Sequence, residues 1–223
     1  MFKTIKPLAF GLLCVAAVSC KKDDVSKNNV ADAGANADSA MGASYYPVAN
    51  GSSYTYVDST STGASTSKSD IEIAGDTTID QKTFSKNSAK GSSAYSYSNT
   101  AAGVTTLVSF KGEDRITSTV LKANEPVGTI WKDQFSNNGV PTTYEWKMVA
   151  KGLTRTINNI NYSNVIQVHL DGYAEVPVQG KVTFAKSDYY YAPNVGLIEN
   201  IAYDPASGKL LLHRVLQNPG AEQ

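Results

Sequence analysis

Residues 196–216, GLIENIAYDPASGKLLLHRVL, decide the fold of this chain. Two runs of mostly apolar residues, 196–203 and 209–216, flank the segment Asp204-Pro205-Ala206-Ser207-Gly208. Asp, Pro, Ser and Gly favour turns, each through its own backbone or side-chain preference. Two short apolar runs around such a segment predict a β-hairpin with antiparallel strands.

Upstream of this hairpin, apolar and polar residues alternate repeatedly with a period of two, which is the pattern of a half-buried strand. Short turn segments separate the runs, although Asp80-Gln81 lacks the Gly that a tight hairpin prefers. The rows that share a face are Tyr54 and Tyr56; Ile71 and Ile73; Tyr95 and Tyr97; Val104, Thr106, Val108 and Phe110; Thr142, Tyr144, Trp146 and Met148; Tyr162, Ile166, Val168 and Leu170; and Val182 and Phe184, leading to Tyr189-Tyr190-Tyr191. Residues 115–121 are predicted to pair with the row at residues 104–110.

The fold class predicted from this pattern is all-β. The runs give about ten strands joined by short connections, and an antiparallel meander that forms a barrel, a half-barrel or a sandwich is the simplest arrangement. Residues 122–138 are predicted to form an irregular connection held by Trp131 and Phe135, with Trp131 in the core. Residues 45–223, which number 179, fit a single β-rich domain.

The beginning of the sequence has the features of a signal peptide, predicted to comprise residues 1–19. Lys3 and Lys6 precede an apolar run of twelve residues, 7–18, which is shorter than the roughly 20 residues that span a bilayer. Ala17-Val18-Ser19-Cys20 resembles a bacterial lipobox, with Ala17 where Leu is usual. The resemblance implies that Cys20 carries the lipid and anchors the chain to a membrane, since two or three acyl chains hold a protein firmly.

The residues after Cys20 indicate the location of the protein in more detail. Lys21-Lys22-Asp23-Asp24 resembles the surface-export signal of lipoproteins in the Bacteroidota, which implies an outer-membrane protein that faces the cell exterior; the periplasmic leaflet is the alternative. The rest of residues 20–44 is rich in Ala, Asn, Asp, Ser and Gly and reads as a flexible tether. Such a tether spans about 25 to 30 Å on average.

The composition of the mature chain excludes some classes of partner and bond. The full chain has 20 basic and 20 acidic side chains, and removing residues 1–19 takes away Lys3 and Lys6 alone, which leaves a net charge of −2. A nucleic-acid partner would need a basic surface and is not expected. Of the two cysteines, Cys14 leaves with the signal peptide and Cys20 is lipidated, so no internal disulfide is expected.

Two motifs resemble a wider group of proteins. Residues 45–56, YYPVANGSSYTY, are similar to the opening YYPL-x-x-G-x-x-W-x-Y of uncharacterised secreted lipoproteins of the Bacteroidota, with Tyr54 in place of Trp. Residues 189–198, YYYAPNVGLI, resemble their YYA-x-x-VGL-I segment, with Asn194 in place of a frequent Gly. The resemblance implies a β-rich lipoprotein and no particular activity. At the level of the fold, such domains also look like the half-barrels of envelope lipid carriers.

Catalytic and metal-binding motifs are weak in this sequence, and we expect neither a catalytic site nor a metal or other cofactor. Neither a nucleophile elbow nor a phosphate-binding Gly-rich loop occurs. His169 and Asp171 share a strand face about 7 Å apart, but without a third ligand at a recognisable spacing they read as an exposed polar face. The aromatic rows are the clearer candidates for binding, because a concave sheet lined with Tyr can hold sugars or lipid chains. The candidate ligand-lining residues are Tyr54, Tyr56, Tyr95, Tyr97, Tyr144 and Trp146; the alternative is that such rows only stabilise the sheet.

Three short Asp-Ser/Thr segments resemble O-glycosylation acceptors of secreted Bacteroidota proteins. Their acceptor residues, Ser39, Ser59 and Thr77, are expected in the tether or in loops.

Taken together, these patterns predict a lipid-anchored envelope lipoprotein that acts as a non-catalytic binding or structural module. A carrier of a lipid or other hydrophobic ligand in a half-barrel cavity is the first alternative, and it requires an apolar cavity of a few hundred cubic ångströms. A hydrolase acting on envelope or extracellular glycans is the second, and it requires ionisable side chains clustered in that cavity. The partner, whether glycan, lipid or protein, is not specified by the sequence.

Overall fold

The structure, a computed structural model, describes residues 44–46, 52–61, 66–90, 92, 94–111, 114–137 and 139–217. Over these residues the chain forms β-strands and no helix, so none that could cross a membrane. The signal peptide, Cys20, the export motif and nearly all of the tether lie outside the described residues. The strands are β1 (Ser53–Thr60), β2 (Thr66–Ile79), β3 (Lys82–Ala89), β4 (Tyr95–Ala101), β5 (Val104–Lys111), β6 (Asp114–Lys122), β7 (Ile130–Asn137), β8 (Val140–Ile157), β9 (Ile160–Val176), β10 (Gly180–Ala192), β11 (Gly196–Tyr203) and β12 (Leu210–Leu216).

All twelve described strands belong to one antiparallel sheet, which confirms the predicted all-β meander. The order across the sheet is β6-β5-β4-β3-β2-β1-β12-β11-β10-β9-β8-β7. Sequential strands pair except β6 and β7, which are the two edge strands, and β1 also pairs with β12, where Tyr56 lies opposite Leu216. That pairing joins the two halves of the meander and gives a nearly closed barrel.

The hairpin predicted for residues 196–216 forms. β11 and β12 pair antiparallel, with Asn200 opposite Arg214. The turn is fixed by Asp204, whose Oδ1 accepts hydrogen bonds from the Ser207 backbone N–H at 2.6 Å and from the Ser207 hydroxyl at 2.7 Å. Asn and Asp side chains that accept bonds from residues further along the chain are a common way to hold such a turn.

Two strands are absent from the sequence prediction. Residues 122–138 were predicted to be an irregular connection, and this is wrong, because β7 occupies residues 130–137 and pairs with β8. The other is β3, in which Phe84 and Ala89 are the only apolar residues. Both strands carry mainly polar side chains, so hydrophobic alternation hardly marks them. Trp131 on β7 is buried in the core as predicted, with 6% of its surface exposed.

Two turns contain residues other than Gly at positive φ. Asp80 and Gln81 both adopt positive φ, 47° and 63°, as a two-residue hairpin requires. Asn194, which stands where the resembling lipoproteins often have Gly, adopts φ 60°. Asn and Asp tolerate this left-handed region better than most residues, and Gln81 does so at a cost.

The two edge strands, β6 and β7, face each other without a backbone ladder between them, and we call this gap the seam. Side chains of β7 bridge it. Trp131 Nε1 donates to the Thr119 carbonyl at 2.5 Å, and Asp133 Oδ2 accepts from the Thr119 N–H at 2.8 Å and from the Ser118 hydroxyl at 2.9 Å. Side-chain bonds therefore satisfy backbone groups of β6 that a neighbouring strand would otherwise satisfy.

The hairpin of β8 and β9 is longer than its neighbours, and its tip reaches across the sheet to β12. Asn158 at the tip donates to the Leu216 carbonyl at 2.9 Å. Arg155 forms an ion pair with Glu199 on β11 and lies 4.1 Å from the Tyr190 ring. The tip therefore covers β10 and β11, so that Glu199 is only 4% exposed.

Candidate functional site

A cavity of about 80 Å³ lies between strands β5–β6 on one side and β8–β11 on the other. Leu107 and Val120 supply one wall, and Trp146 and Leu170 supply the opposite wall. Each strand contributes alternate residues, because successive side chains of a strand point to opposite faces. Among the described residues that line the cavity none is charged, and most are apolar or aromatic.

Aromatic rings form much of the wall of this cavity. The Trp146 and Tyr189 rings are 5.5 Å apart, and Tyr189 stacks on Tyr191 with ring centres 6.4 Å apart. The Tyr46 ring, from the segment before β1, lies 6.4 Å from Tyr191. These four rings give the cavity an apolar surface with hydroxyl groups at the edges of the rings.

Two buried hydroxyl groups lack a hydrogen-bond partner among the described residues, that of Tyr46 at this cavity and that of Ser187 next to residues that line it. Tyr46 lines the cavity, and it is 3% exposed. Ser187 pairs with Leu170 and is flanked on its own face by Ala185 and Tyr189, all of which line the cavity. Burial raises the pKa of Tyr46 well above its usual value, so its hydroxyl stays protonated and can donate a hydrogen bond.

The seam adjoins the same cavity. Ser118 on β6 and Trp146 on β8 both line it, and both donate to Asp133 Oδ2, at 2.9 and 3.1 Å. The Asp133 carboxylate therefore holds two cavity walls together across the edge of the sheet.

The candidate ligand-lining aromatics separate into three groups. Tyr144 and Trp146 line the cavity. Tyr54 and Tyr56 belong to the packed core, and the Tyr56 hydroxyl donates to the Leu197 carbonyl at 3.0 Å. Tyr95 and Tyr97 lie away from the cavity, with Tyr95 45% exposed and the Tyr97 ring edge-on to Phe110.

The sequence did not mark Tyr46 or Ser187 as site residues, and it marked Tyr189 and Tyr191 as an aromatic row without naming them among the candidate ligand-lining residues. Tyr46 precedes the first strand, where alternation gives no signal. Tyr189 and Tyr191 have the period-two spacing of the candidate rows, and that spacing was the available signal for them. Ser187 is an ordinary strand residue whose importance depends on its register with Leu170.

A charged network occupies the opposite face of β9–β12. His169 Nδ1 is 2.7 Å from Asp188 Oδ1, and His169 Nε2 is 3.6 Å from Asp171 Oδ2. The expected exposed polar face is thus half-buried here, since the His169 side chain is 22% exposed. Both ring nitrogens face carboxylates. No group of three metal-ligating side chains occurs among the residues described.

The expected glycosylation acceptors are placed differently from the prediction. Ser59 and Thr77 lie within strands β1 and β2, so their predicted location in loops is wrong. The β1 ladder extends to residue 60, and the Ser59 hydroxyl donates to the His213 carbonyl at 3.2 Å. Ser39 lies outside the described residues.

Comparison with known proteins adds information on the fold. No family model matches the sequence, and no curated protein matches it. Among solved structures, a candidate lipoprotein from Parabacteroides distasonis is similar, with a TM-score of 0.54 and 12% identity over 78% of this chain and 97% of that chain. A candidate exported protein with a YmcC-like fold from Bacteroides fragilis gives a TM-score of 0.42 at 12% identity, over 78% and 97% of the two chains. At this level of identity, the similarity to the Parabacteroides protein shows a shared fold.

Proposed function

We propose that the protein is a lipid-anchored lipoprotein of the outer membrane, facing the cell exterior, that acts by binding a small apolar group and has no catalytic machinery. Cys20 in its lipobox and the Lys21-Lys22-Asp23-Asp24 motif support the location. A fold shared with a candidate lipoprotein supports the same assignment. The observation that carries the binding function is the uncharged cavity walled by Trp146 and a cluster of tyrosines.

The size of the cavity limits what it can bind. Pockets for drug-sized ligands are typically about 300–1,000 Å³, and this cavity measures about 80 Å³. A carrier that encloses a whole lipid would need a larger space than the barrel offers in this conformation. A short apolar molecule, or the end of a longer one, fits better. The His169–Asp188 pair lies on the other face of the sheet, so it does not support the hydrolase alternative.

Filling the cavity tests this function. Ala185 lines the cavity and is 7% exposed, so a Phe ring at this position would occupy the space that a ligand needs. We expect Ala185→Phe to weaken the binding of α-methylstyrene, a small apolar probe, by about tenfold or more, which corresponds to about 1.4 kcal/mol. Titration followed by nuclear magnetic resonance measures the affinity.

Ala101→Phe is the matched control, because Ala101 lies in β4 on the exposed surface. It adds the same ring away from the cavity and should leave the affinity unchanged. A wild-type protein that binds neither α-methylstyrene nor a ketone of the same shape, or measurable binding that is equal in wild type and Ala185→Phe, contradicts the proposed function.

A further inference from the structure

The two unpartnered hydroxyls at the cavity need an explanation. Burying a hydroxyl group without a hydrogen bond costs about 1–3 kcal/mol, and nearly all buried polar groups in proteins are paired. Here Tyr46 and Ser187 are both buried and both lack a partner within the described part of the chain. Of the two, Tyr46 lines the cavity, so a molecule inside the cavity can accept the bond that its hydroxyl lacks.

We infer that the cavity selects apolar ligands that carry a neutral hydrogen-bond acceptor, specifically a carbonyl oxygen, and that the Tyr46 hydroxyl donates to it. This inference rests on the proposed function, since it names the chemical class of the ligand that the same cavity binds. Tyr46 is the principal donor because its ring itself lines the cavity, whereas Ser187 is surrounded by lining residues.

The acceptor is neutral because the cavity offers nothing to balance a negative charge. None of the described lining residues is charged, and burying an unpaired carboxylate in apolar surroundings is costly. The buried Arg214 is already engaged, since its Nε and Nη2 atoms each lie 2.6 Å from an oxygen of Asp58. A ketone, aldehyde or ester therefore fits the site better than a fatty-acid anion.

A plain hydrocarbon would leave the Tyr46 hydroxyl unpaired. The raised pKa of Tyr46 fits a donor that stays neutral in the site. The expected preference is for a carbonyl compound over a hydrocarbon of the same shape.

Acetophenone and α-methylstyrene test this preference, because they differ mainly in a C=O group against a C=CH₂ group. We expect the ratio of their affinities, ketone over alkene, to fall about two- to tenfold in Tyr46→Phe relative to wild type, which is the net value of one hydrogen bond. Comparing ratios between proteins removes the difference in hydration of the two probes. Tyr45→Phe is the matched control: the Tyr45 hydroxyl donates to the Asn164 carbonyl at 2.9 Å, and its loss should leave the ratio unchanged.

A second measurement uses the wild-type protein, so it does not depend on the folding of a variant. The carbonyl stretch of bound acetophenone, recorded by infrared difference spectroscopy, should lie at lower frequency than in hexane because of the hydrogen bond. A hexane-like frequency, or an unchanged ratio in a folded Tyr46→Phe protein, overturns the inference while leaving the proposed function intact. Failure of wild type to bind either probe overturns the proposed function itself.

Discussion

At the scale of single residues, His169 is a side chain whose charge depends on its neighbours. The hydrogen bond to Asp188 raises the pKa of His169, and partial burial opposes this effect. Burial is the largest single influence on Asp188 and would raise its pKa, but the hydrogen bond and positive charge of His169, together with hydrogen bonds from Gln167 and Tyr203, lower the pKa overall. Asp171 adds to the attraction and Lys186 weakens it. The folded protein therefore favours a protonated imidazole beside a carboxylate.

The raised pKa of His169 makes the stability of the protein depend on pH. A histidine whose pKa is higher in the folded than in the unfolded state stabilises the fold fully below its unfolded pKa, about 6.5, and this contribution is lost as pH rises through the folded pKa. We expect the free energy of unfolding of wild type to be lower at about pH 9 than at about pH 6. His169→Gln should remove most of this difference, as measured by urea denaturation at both pH values.

His213→Gln is the control for this experiment, because His213 is the other histidine of the chain and pairs with Glu199 at 2.8 Å. The loss of stability at high pH should persist in that variant. A pH dependence of His169→Gln equal to that of wild type contradicts the assignment.

His169 and the aromatic residues of the cavity show how much of a site a sequence can specify. The spacing of His169 and Asp171 was visible in the sequence, and the alternation of Tyr144 and Trp146 marked two residues that line the cavity. The stronger partner of His169 is Asp188, which lies opposite it on β10. Strand register brings these two together, and sequence spacing does not specify the register of strands that are separated by a turn.

At the scale of secondary-structure elements, the seam is the distinctive feature. The other neighbouring strands of the sheet are joined by backbone ladders, whereas β6 and β7 are joined by the side chains of Trp131 and Asp133. A carboxylate that accepts three bonds, from Ser118, Thr119 and Trp146, is a strong but localised connection. Removing it leaves the Thr119 N–H and the Trp146 indole without their partner.

Asp133→Ala tests the importance of the seam. We expect the free energy of unfolding to fall by about 2–3 kcal/mol, because buried donors lose a charged acceptor. We also expect hydrogen exchange at the Thr119 amide to accelerate more than at amides within the β11–β12 ladder. Urea denaturation and exchange followed by nuclear magnetic resonance measure the two effects.

Asp76→Ala is the matched control for the seam, since among the described residues Asp76 accepts one side-chain hydrogen bond, from the Ser85 hydroxyl at 3.0 Å. Asp76→Ala should lower the free energy of unfolding by less than about 1 kcal/mol. Equal losses in the two variants, or unchanged exchange at Thr119 in Asp133→Ala, would show that Asp133 does not hold the seam.

The elements that the sequence missed have a common cause. β3 and β7 carry few apolar side chains, so the period-two pattern that revealed the other strands is faint in both. β7 is an edge strand whose polar residues face solvent or the seam. Asp133 has a structural role in that strand, although its sequence context is typical of a loop. Hydrophobic alternation identifies strands that bury a face, and it under-reports strands held mainly by their ladders.

At the scale of the whole molecule, the all-β meander could be predicted and the barrel could not be chosen over its alternatives. The alternation of side chains specifies strands and their sequential pairing. Closure depends on β1 meeting β12, where Tyr56 lies opposite Leu216, and on side chains that bridge the seam. These contacts join residues far apart in sequence. The cavity arises from the same closure, so neither its size nor its unpaired hydroxyls could be read from the sequence.

Native mass spectrometry of the protein extracted from its own outer membrane tests the central claim most directly, namely that a lipid-anchored barrel binds a small apolar ligand. For wild type, we expect a polypeptide that begins at Cys20, carries acyl chains, and retains an additional small mass that is released on gentle activation. Ala185→Phe, extracted in parallel, should keep the acyl chains and lose the additional mass. A wild-type protein without acyl chains, or with no mass that Ala185→Phe lacks, would contradict the account.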